Sequence, residues 1–306
     1  MTSAVKRVLV VGAGTMGRGV AKSFAESGFE TLVWSRRGAD VPGLPPGVRA
    51  SATLPAAVPD LVIENVPEEL AVKEETYRAL EAAYPATTII ATNTSGLPLD
   101  ELARGLKHPE RFIGAHYFQP ADVFPMVEVI AGTRTAAETV ARTAEAMRRT
   151  GKEPILVRKP VEGYLINRIQ HALLNEAYYL IEIGAATAKE IDDIAKHLLG
   201  PRMCVTGVIE QKDLSGLAIH AAAQLALVPK LAHTGKPVRF LQDMVARGET
   251  GLKAGLGFYD WRGCDGAATA SQASERLRRV LDFLAHELGP DRPGTRPKTR
   301  ELGAGP

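Results

Sequence analysis

Cysteine is almost missing from this 306-residue chain: Cys204 and Cys264 are the only two, far apart and without metal-ligand spacing. A disulfide framework and a thiolate metal centre are therefore excluded, and a reducing, cytoplasmic setting is expected. The histidines outside residue 116 suggest no metal site, because His108, His171, His197, His220, His233 and His286 are scattered without ligand spacing. Net charge is equally scarce, at a formal +2, so no strong field points to nucleic acid or to a membrane surface. Long apolar runs are lacking too. The run in MTSAVKRVLVV is too short for a signal peptide, and no segment approaches the ~20 apolar residues of a membrane span. These absences describe an intracellular globular protein, and its length allows two domains with substantial cores.

Glycine, by contrast, is concentrated where it is informative. Residues 8–19 read VLVVGAGTMGRG, a short buried-strand pattern leading into Gly12-x-Gly14-x-x-Gly17 and then a helix with apolar Val20, Ala21, Phe24 and Ala25. The first glycine makes the tight turn, the second admits a pyrophosphate close to the backbone, and the third lets helix and strand pack. The helix N-terminus, with Thr15 and Met16, then faces the phosphates. This predicts a dinucleotide site, although such turns also occur for structural reasons alone. A second strand, Thr31–Trp34, ends at Ser35-Arg36-Arg37, where a carboxylate would normally hold the ribose of NAD. Two guanidinium groups and a hydroxyl suit a 2′-phosphate, so the expected cofactor is NADP(H).

Strand-length apolar runs continue at Leu61–Glu64, Thr88–Thr92, Phe112–Ala115, Met126–Ile130 and Pro154–Val157, with helical stretches at Glu68–Tyr84 and Ala136–Thr150 between them. Such alternation predicts an α/β domain built on a mostly parallel sheet covered on both faces. The Pro/Gly-rich segment Gly38–Pro59 reads as a compact connection. From residue 160 the pattern turns wholly helical, with apolar residues at helical spacing in Tyr164–Ile183, Ala188–Leu199 and Gly216–Leu227. Helical domains with such long apolar faces commonly serve as substrate wall and dimer interface. The expected organisation is therefore 1–159, 160–262, and 263–306, the last holding an amphipathic helix at Ser274–Leu288 and a mobile Pro/Gly/basic tail.

His116 closes one strand-like run and Glu128 sits inside the next, within GAHYFQPADVFPMVEVI. A histidine at the C-terminal end of a strand in an open α/β sheet lies at the crevice where ligands bind. A glutamate in the apolar run Met126–Ile130 needs a partner if it is buried, and His116 is the natural one. A carboxylate on the imidazole fixes its tautomer and raises its basicity, making a proton donor and acceptor for an alcohol oxygen. The plainer reading is a core histidine satisfied by a backbone carbonyl and a glutamate at a sheet edge.

The segments GAGTMGRGVA, ENVPEELAVK, TNTSGLPLDEL, GAHYFQP…MVEVI, GYLINRI, DLSGLAIH and KAGLGFYDW occur in that order over roughly residues 6–261. In this combination the chain resembles the 3-hydroxyacyl-CoA dehydrogenase family. The resemblance implies an N-terminal Rossmann-type doubly wound sheet followed by an all-helical, usually dimerising domain, and interconversion of 3-hydroxyacyl and 3-oxoacyl groups. It implies that His116 is the catalytic histidine and Glu128 its carboxylate partner. Ser95 then lies near the substrate oxygen, and Asn167 polarises the carbonyl. Glu68 and Lys73 flank the nicotinamide side of the cofactor, and Asn93, Gln119 and Lys253 are further cofactor contacts. On residue pattern alone, Ser95 and Asn93 serve equally as caps of a helix beginning near Asp100, and Asn167 as an ordinary helix surface residue.

Three features depart from the family. Ser35-Arg36-Arg37 replaces its ribose-binding aspartate, and Gln119 stands where an asparagine usually follows the histidine. The long helical hairpin that many members insert after the second strand is missing, leaving only Gly38–Asp60 to reach the next strand. Since that hairpin helps hold coenzyme A, the acyl carrier stays open among coenzyme A, a carrier protein and a free acid. The expected activity is an NADP(H)-dependent 3-hydroxyacyl dehydrogenase or 3-oxoacyl reductase acting on an acyl thioester. The alternatives are a dehydrogenase of a small free hydroxy acid or polar alcohol, and a non-catalytic dinucleotide-binding redox sensor.

Overall fold

The computed structural model describes residues 4–38 and 40–288; the basic tail singled out above lies outside them. The chain forms two compact units, one running to Gln170 and the other starting at His171. The first unit holds eight strands: β1 (Arg7–Val11), β2 (Glu30–Trp34), β3 (Arg49–Ser51), β4 (Leu61–Glu64), β5 (Ile89–Thr92), β6 (Phe112–His116), β7 (Met126–Ala131) and β8 (Glu153–Val157). Their order across the sheet is β3-β2-β1-β4-β5-β6-β7-β8. Every neighbouring pair is parallel except β6 and β7.

Because β1 pairs with both β2 and β4, the winding of the sheet reverses beside it, and the crevice at the carboxyl ends of these strands is where ligands of such sheets bind. Residues of β1 alternate between two cores. Val8 and Val10 pack into one with Val20, Phe24 and Ile63, while Leu9 and Val11 pack into the other with Val62, Tyr77 and Phe112. Burial on both faces explains why these strands read as continuous apolar runs. The helices α1 (Thr15–Glu26), α2 (Leu70–Ala83), α3 (Leu99–Leu102) and α4 (Ala137–Arg149) complete the covering. The strand β3 lies in the segment read from sequence as a connection. Its three residues, Arg-Ala-Ser, pair with Leu32, Val33 and Trp34 at the sheet edge and carry no apolar alternation to reveal them.

The second unit is helical: the remainder of α5 (Ile166–Glu182), then α6 (Ala188–Ile194), α7 (Gly200–Thr206), α8 (Glu210–Ser215), α9 (Leu217–Leu227), α10 (Arg239–Ala246) and α11 (Gly266–Leu288). The helix expected over Ala188–Leu199 continues through a π-helical turn at Ala195–Leu199 into α7. Pro201, which cannot donate a backbone hydrogen bond, stands in the first turn of α7 and accounts for the wider turn before it. A cluster of Tyr178, Phe240 and Phe258 anchors the KAGLGFY segment, with Tyr178 and Phe258 stacked at 5.8 Å. Among the described residues from His171 onward, only Ala177 is buried.

Candidate active site

The glycine turn has the shape its spacing predicts. Gly12 adopts φ +89°, and a Cβ there would lie 2.6 Å from the carbonyl oxygen of Asn65, which follows β4. A Cβ on Gly17 would lie 1.9 Å from the carbonyl of Gly12, so the helix packs against the turn only with glycine present. Gly14 is different: nothing lies within 4 Å of where its Cβ would be, and it caps α1 with no side chain on the first amides. Open space, bare helix amides and no acidic residue in the first turn suit an anionic phosphate group. Exposed Thr15 and half-buried Met16 flank it.

At the end of β2, Ser35 is buried, donates its amide to Ser51 and accepts the Arg37 amide on Oγ at 3.2 Å. The carbonyl of Ser35 accepts the amide of Gly38 at 2.8 Å, closing a turn that places Arg36 and Arg37 on the surface. Neither guanidinium meets a partner among the described residues. The pair lies beside the glycine turn, since β2 and β1 are neighbours in the sheet.

His116 and Glu128 face each other across the antiparallel β6–β7 pair, in direct register. The imidazole Nδ1 and Glu128 Oε2 are 2.8 Å apart, and both side chains are buried. The other carboxylate oxygen, Oε1, accepts the amides of Leu165 and Ile166 at 2.9 and 3.0 Å, where α5 begins. Burial alone would raise the carboxyl's pKa, but the hydrogen bonds from His116, Ile166 and Leu165 outweigh it and hold Glu128 below the usual carboxylate range. An ionised partner fixes the proton on Nδ1 and leaves Nε2 unprotonated; Nε2 has no partner among the described residues. Phe118 meets the imidazole edge-on at 4.9 Å, and Tyr164 tilts against it at 5.5 Å.

The residues from the β5 end converge on the same place. Asn93 does not cap a helix: its side chain donates to Asn65 and accepts the amide of Tyr117, both at 2.8 Å, tying the exits of β4, β5 and β6 together. Nor does Ser95 cap α3, whose N-cap is Pro98 without a side-chain bond. The Ser95 amide donates to Glu68 at 2.8 Å, and the Ser95 carbonyl accepts Asn167 Nδ2 at 3.2 Å. Asn167, in the first turn of α5, is thereby held against the Ser95 turn. Gln119 is exposed in the loop after His116, a loop pinned by Lys22 to Asp122 and by Lys152 to the Phe124 carbonyl.

With this geometry in view, the kinship is clear. The model of the 3-hydroxyacyl-CoA dehydrogenase NAD-binding domain matches residues 7–43 and 46–160, and that of the C-terminal domain matches 163–261. The chain belongs to the 3-hydroxyacyl-CoA dehydrogenase family. Its relatives are oxidoreductases, and so is this protein. It is 30% identical to 5-formyl-3-hydroxy-2-methylpyridine 4-carboxylate 5-dehydrogenase of Mesorhizobium japonicum, over 91% of this chain and 99% of the relative. It is 30% identical to a probable 3-hydroxybutyryl-CoA dehydrogenase of Bacillus subtilis, over 84% and 98%. Identity to the L-carnitine dehydrogenase of Streptomyces coelicolor is 31%, over 94% and 97%. Among solved structures, the pyridine-carboxylate enzyme, an NAD+-dependent dismutase, superposes with a TM-score of 0.84 at 29% identity, covering 92% of this chain and 98% of its own. The 3-hydroxybutyryl-CoA dehydrogenase of Ralstonia eutropha gives 0.66 at 28% identity, over 84% and 99%.

Within this family frame, two predicted contacts take unexpected positions. Lys73 is buried, with its ammonium between Glu64 and Glu68. Lys253 lies exposed in a 3-10 turn of the second unit, Leu252–Ala254. Two residues escaped the sequence reading. Glu64 is wholly buried at the end of β4, and its signal, a carboxylate ending an apolar strand, resembles that of Glu128. Tyr164 is buried at φ +49°, and its hydroxyl has no hydrogen-bond partner. Leaving such a group unpaired costs about 1–3 kcal/mol. Tyr164→Phe should therefore melt at or above the wild-type temperature in a calorimetric scan; a fall of several degrees would show that the hydroxyl has a partner.

Proposed function

We propose that this chain is an NADP(H)-dependent oxidoreductase interconverting a hydroxyl and a carbonyl on an acyl group, with His116 as general acid–base. The observation that carries this reading is the buried His116–Glu128 pair at 2.8 Å. Gly12, Gly14, Gly17 and the first amides of α1 would hold the pyrophosphate, and Ser35, Arg36 and Arg37 a 2′-phosphate. When bound, the nicotinamide donates or accepts the hydride. His116 Nε2 gives a proton to the carbonyl oxygen in reduction and takes one from the alcohol in oxidation. Glu128 orients the ring and stabilises the imidazolium. Ser95 and Asn167 supply neutral donors near the substrate oxygen, which favour a developing alkoxide over the ground-state ketone.

On the substrate, the short β2–β4 connection leaves no helical hairpin to hold an adenine nucleotide handle. Binding energy from such remote groups is what raises turnover on a full substrate over a truncated one. An acyl-CoA should therefore be at most modestly better than a short pantetheine thioester of the same acyl group. A second reading, a small free hydroxy acid or polar alcohol, is favoured by the chain-long likeness to the pyridine-carboxylate enzyme at a TM-score of 0.84. Initial rates with the acyl-CoA, the pantetheine thioester, the carrier-protein thioester and the free acid separate these. A thousandfold preference for acyl-CoA would overturn the proposed independence from the handle, and activity on the free acid alone would select the second reading.

The helical unit supports a further part of the proposal, a symmetric homodimer. Ile209, Leu214, Ile219 and Leu225 are each more than 70% exposed in a unit with one buried residue among those described. Apolar surface of that extent needs a cover, and an obligate interface would bury on the order of 2,000 Å² or more. Light scattering should give the dimer mass at working concentration; an active monomer would contradict it.

A further inference from the structure

The Lys73 ammonium donates two hydrogen bonds to Glu64 and forms an ion pair with Glu68. An ammonium carries three hydrogens, and three carboxylate oxygens surround this one: Glu64 Oε1 at 2.9 Å, Glu64 Oε2 at 3.0 Å and Glu68 Oε2 at 3.3 Å. Its side chain is 1% exposed. Glu64 is just as fully engaged, since Oε1 also accepts the Val66 amide while Oε2 accepts the hydroxyls of Tyr77 and Thr92. A buried ion pair is a weak source of net stability, so its value is better sought in what it orients. What it orients is Glu68. That side chain is 40% exposed at one end of the chain of contacts, and its other oxygen, Oε1, accepts the Thr94 hydroxyl and the amides of Ser95 and Gly96.

We propose that Glu64 is a positioning residue: through Lys73 it fixes Glu68, and through Glu68 it fixes the Thr94–Gly96 turn that carries Ser95. The consequence for turnover rests on the reading of Ser95 as a substrate-facing group; the structural relay does not.

The test is amide hydrogen exchange on the ligand-free protein, with steady-state kinetics beside it. The variants are Glu64→Gln, Lys73→Met and the charge-neutral double variant, which keeps the experiment usable if a lone buried charge prevents folding. Exchange at Ser95 and Gly96 should rise by about tenfold or more, with Ile63 and Ala91 in the core strands within about twofold of wild type. The kcat should fall by about tenfold with cofactor KM nearly unchanged, the pattern of a lost transition-state contact. Unchanged exchange at Ser95 and Gly96 would overturn the relay. A rise in cofactor KM without local opening would overturn it too, in favour of a direct Lys73 contact. Absence of any carbonyl-dependent turnover in the wild type would instead sink the proposed function, and the exchange result would still decide the relay.

Discussion

Replacing His116 with alanine should lower turnover by roughly 10²–10⁴-fold while dinucleotide binding survives, because the change removes the proposed general acid–base. The glycine turn proposed to hold the cofactor, Gly12–Gly17, runs from the end of β1 into α1, away from β6, so fluorescence titration of the reduced cofactor should give a dissociation constant close to wild type. Glu128→Gln should also slow turnover, since a neutral amide neither fixes the Nδ1 proton nor stabilises imidazolium. It has a second effect on stability. The native carboxyl of Glu128 titrates below its ordinary range, so the stability it contributes is full above that range and is lost as pH falls through the lowered native value. The glutamine variant should show a shallower loss of stability on acidification. A His116→Ala enzyme with wild-type turnover would contradict the acid–base assignment.

The double variant Arg36→Ala with Arg37→Ala should weaken NADPH binding far more than NADH binding. A hydrogen bond to a charged group is worth about 1.5–3 kcal/mol, so the loss for NADPH should be roughly tenfold to a hundredfold. The exposed guanidinium groups have no internal partner to release among the described residues, so the change should not disturb the fold. The related pyridine-carboxylate enzyme is NAD+-dependent, which makes this an expectation from the residues of this chain alone. Equal losses for both cofactors, measured by calorimetric titration, would show that the arginines do not read the 2′-phosphate.

Much of the molecule was legible because its signals are local and strong. Buried parallel strands read as continuous apolar runs, so β4 was placed at its observed limits and β1, β2, β5, β6, β7 and β8 to within about one residue. The dyad was legible for a related reason: a carboxylate inside β7 demanded a partner, and antiparallel register supplied His116. Glu64 carried the same kind of signal but ends its strand instead of interrupting it, and its partners Lys73, Tyr77 and Thr92 come from two other elements. Its importance emerges only from tertiary packing. The strand β3 was hidden because an edge strand of three polar or small residues leaves no periodicity. The turn at Tyr164 was hidden because a positive φ at a tyrosine is set by the amides of Leu165 and Ile166 reaching Glu128, a constraint with no local signature.

The central claim is that this site performs carbonyl reduction and alcohol oxidation, and the most direct measurement is the absorbance of reduced nicotinamide in the presence of the wild-type protein and a 3-oxoacyl substrate. NADPH should be consumed in a carbonyl-dependent way, faster than NADH at equal concentration, and the rate should drop by the expected factor in His116→Ala. Tight binding of NADPH with no consumption on any of the thioesters or the free acid would contradict it, and would leave a dinucleotide-binding protein without the chemistry proposed for His116 and Glu128.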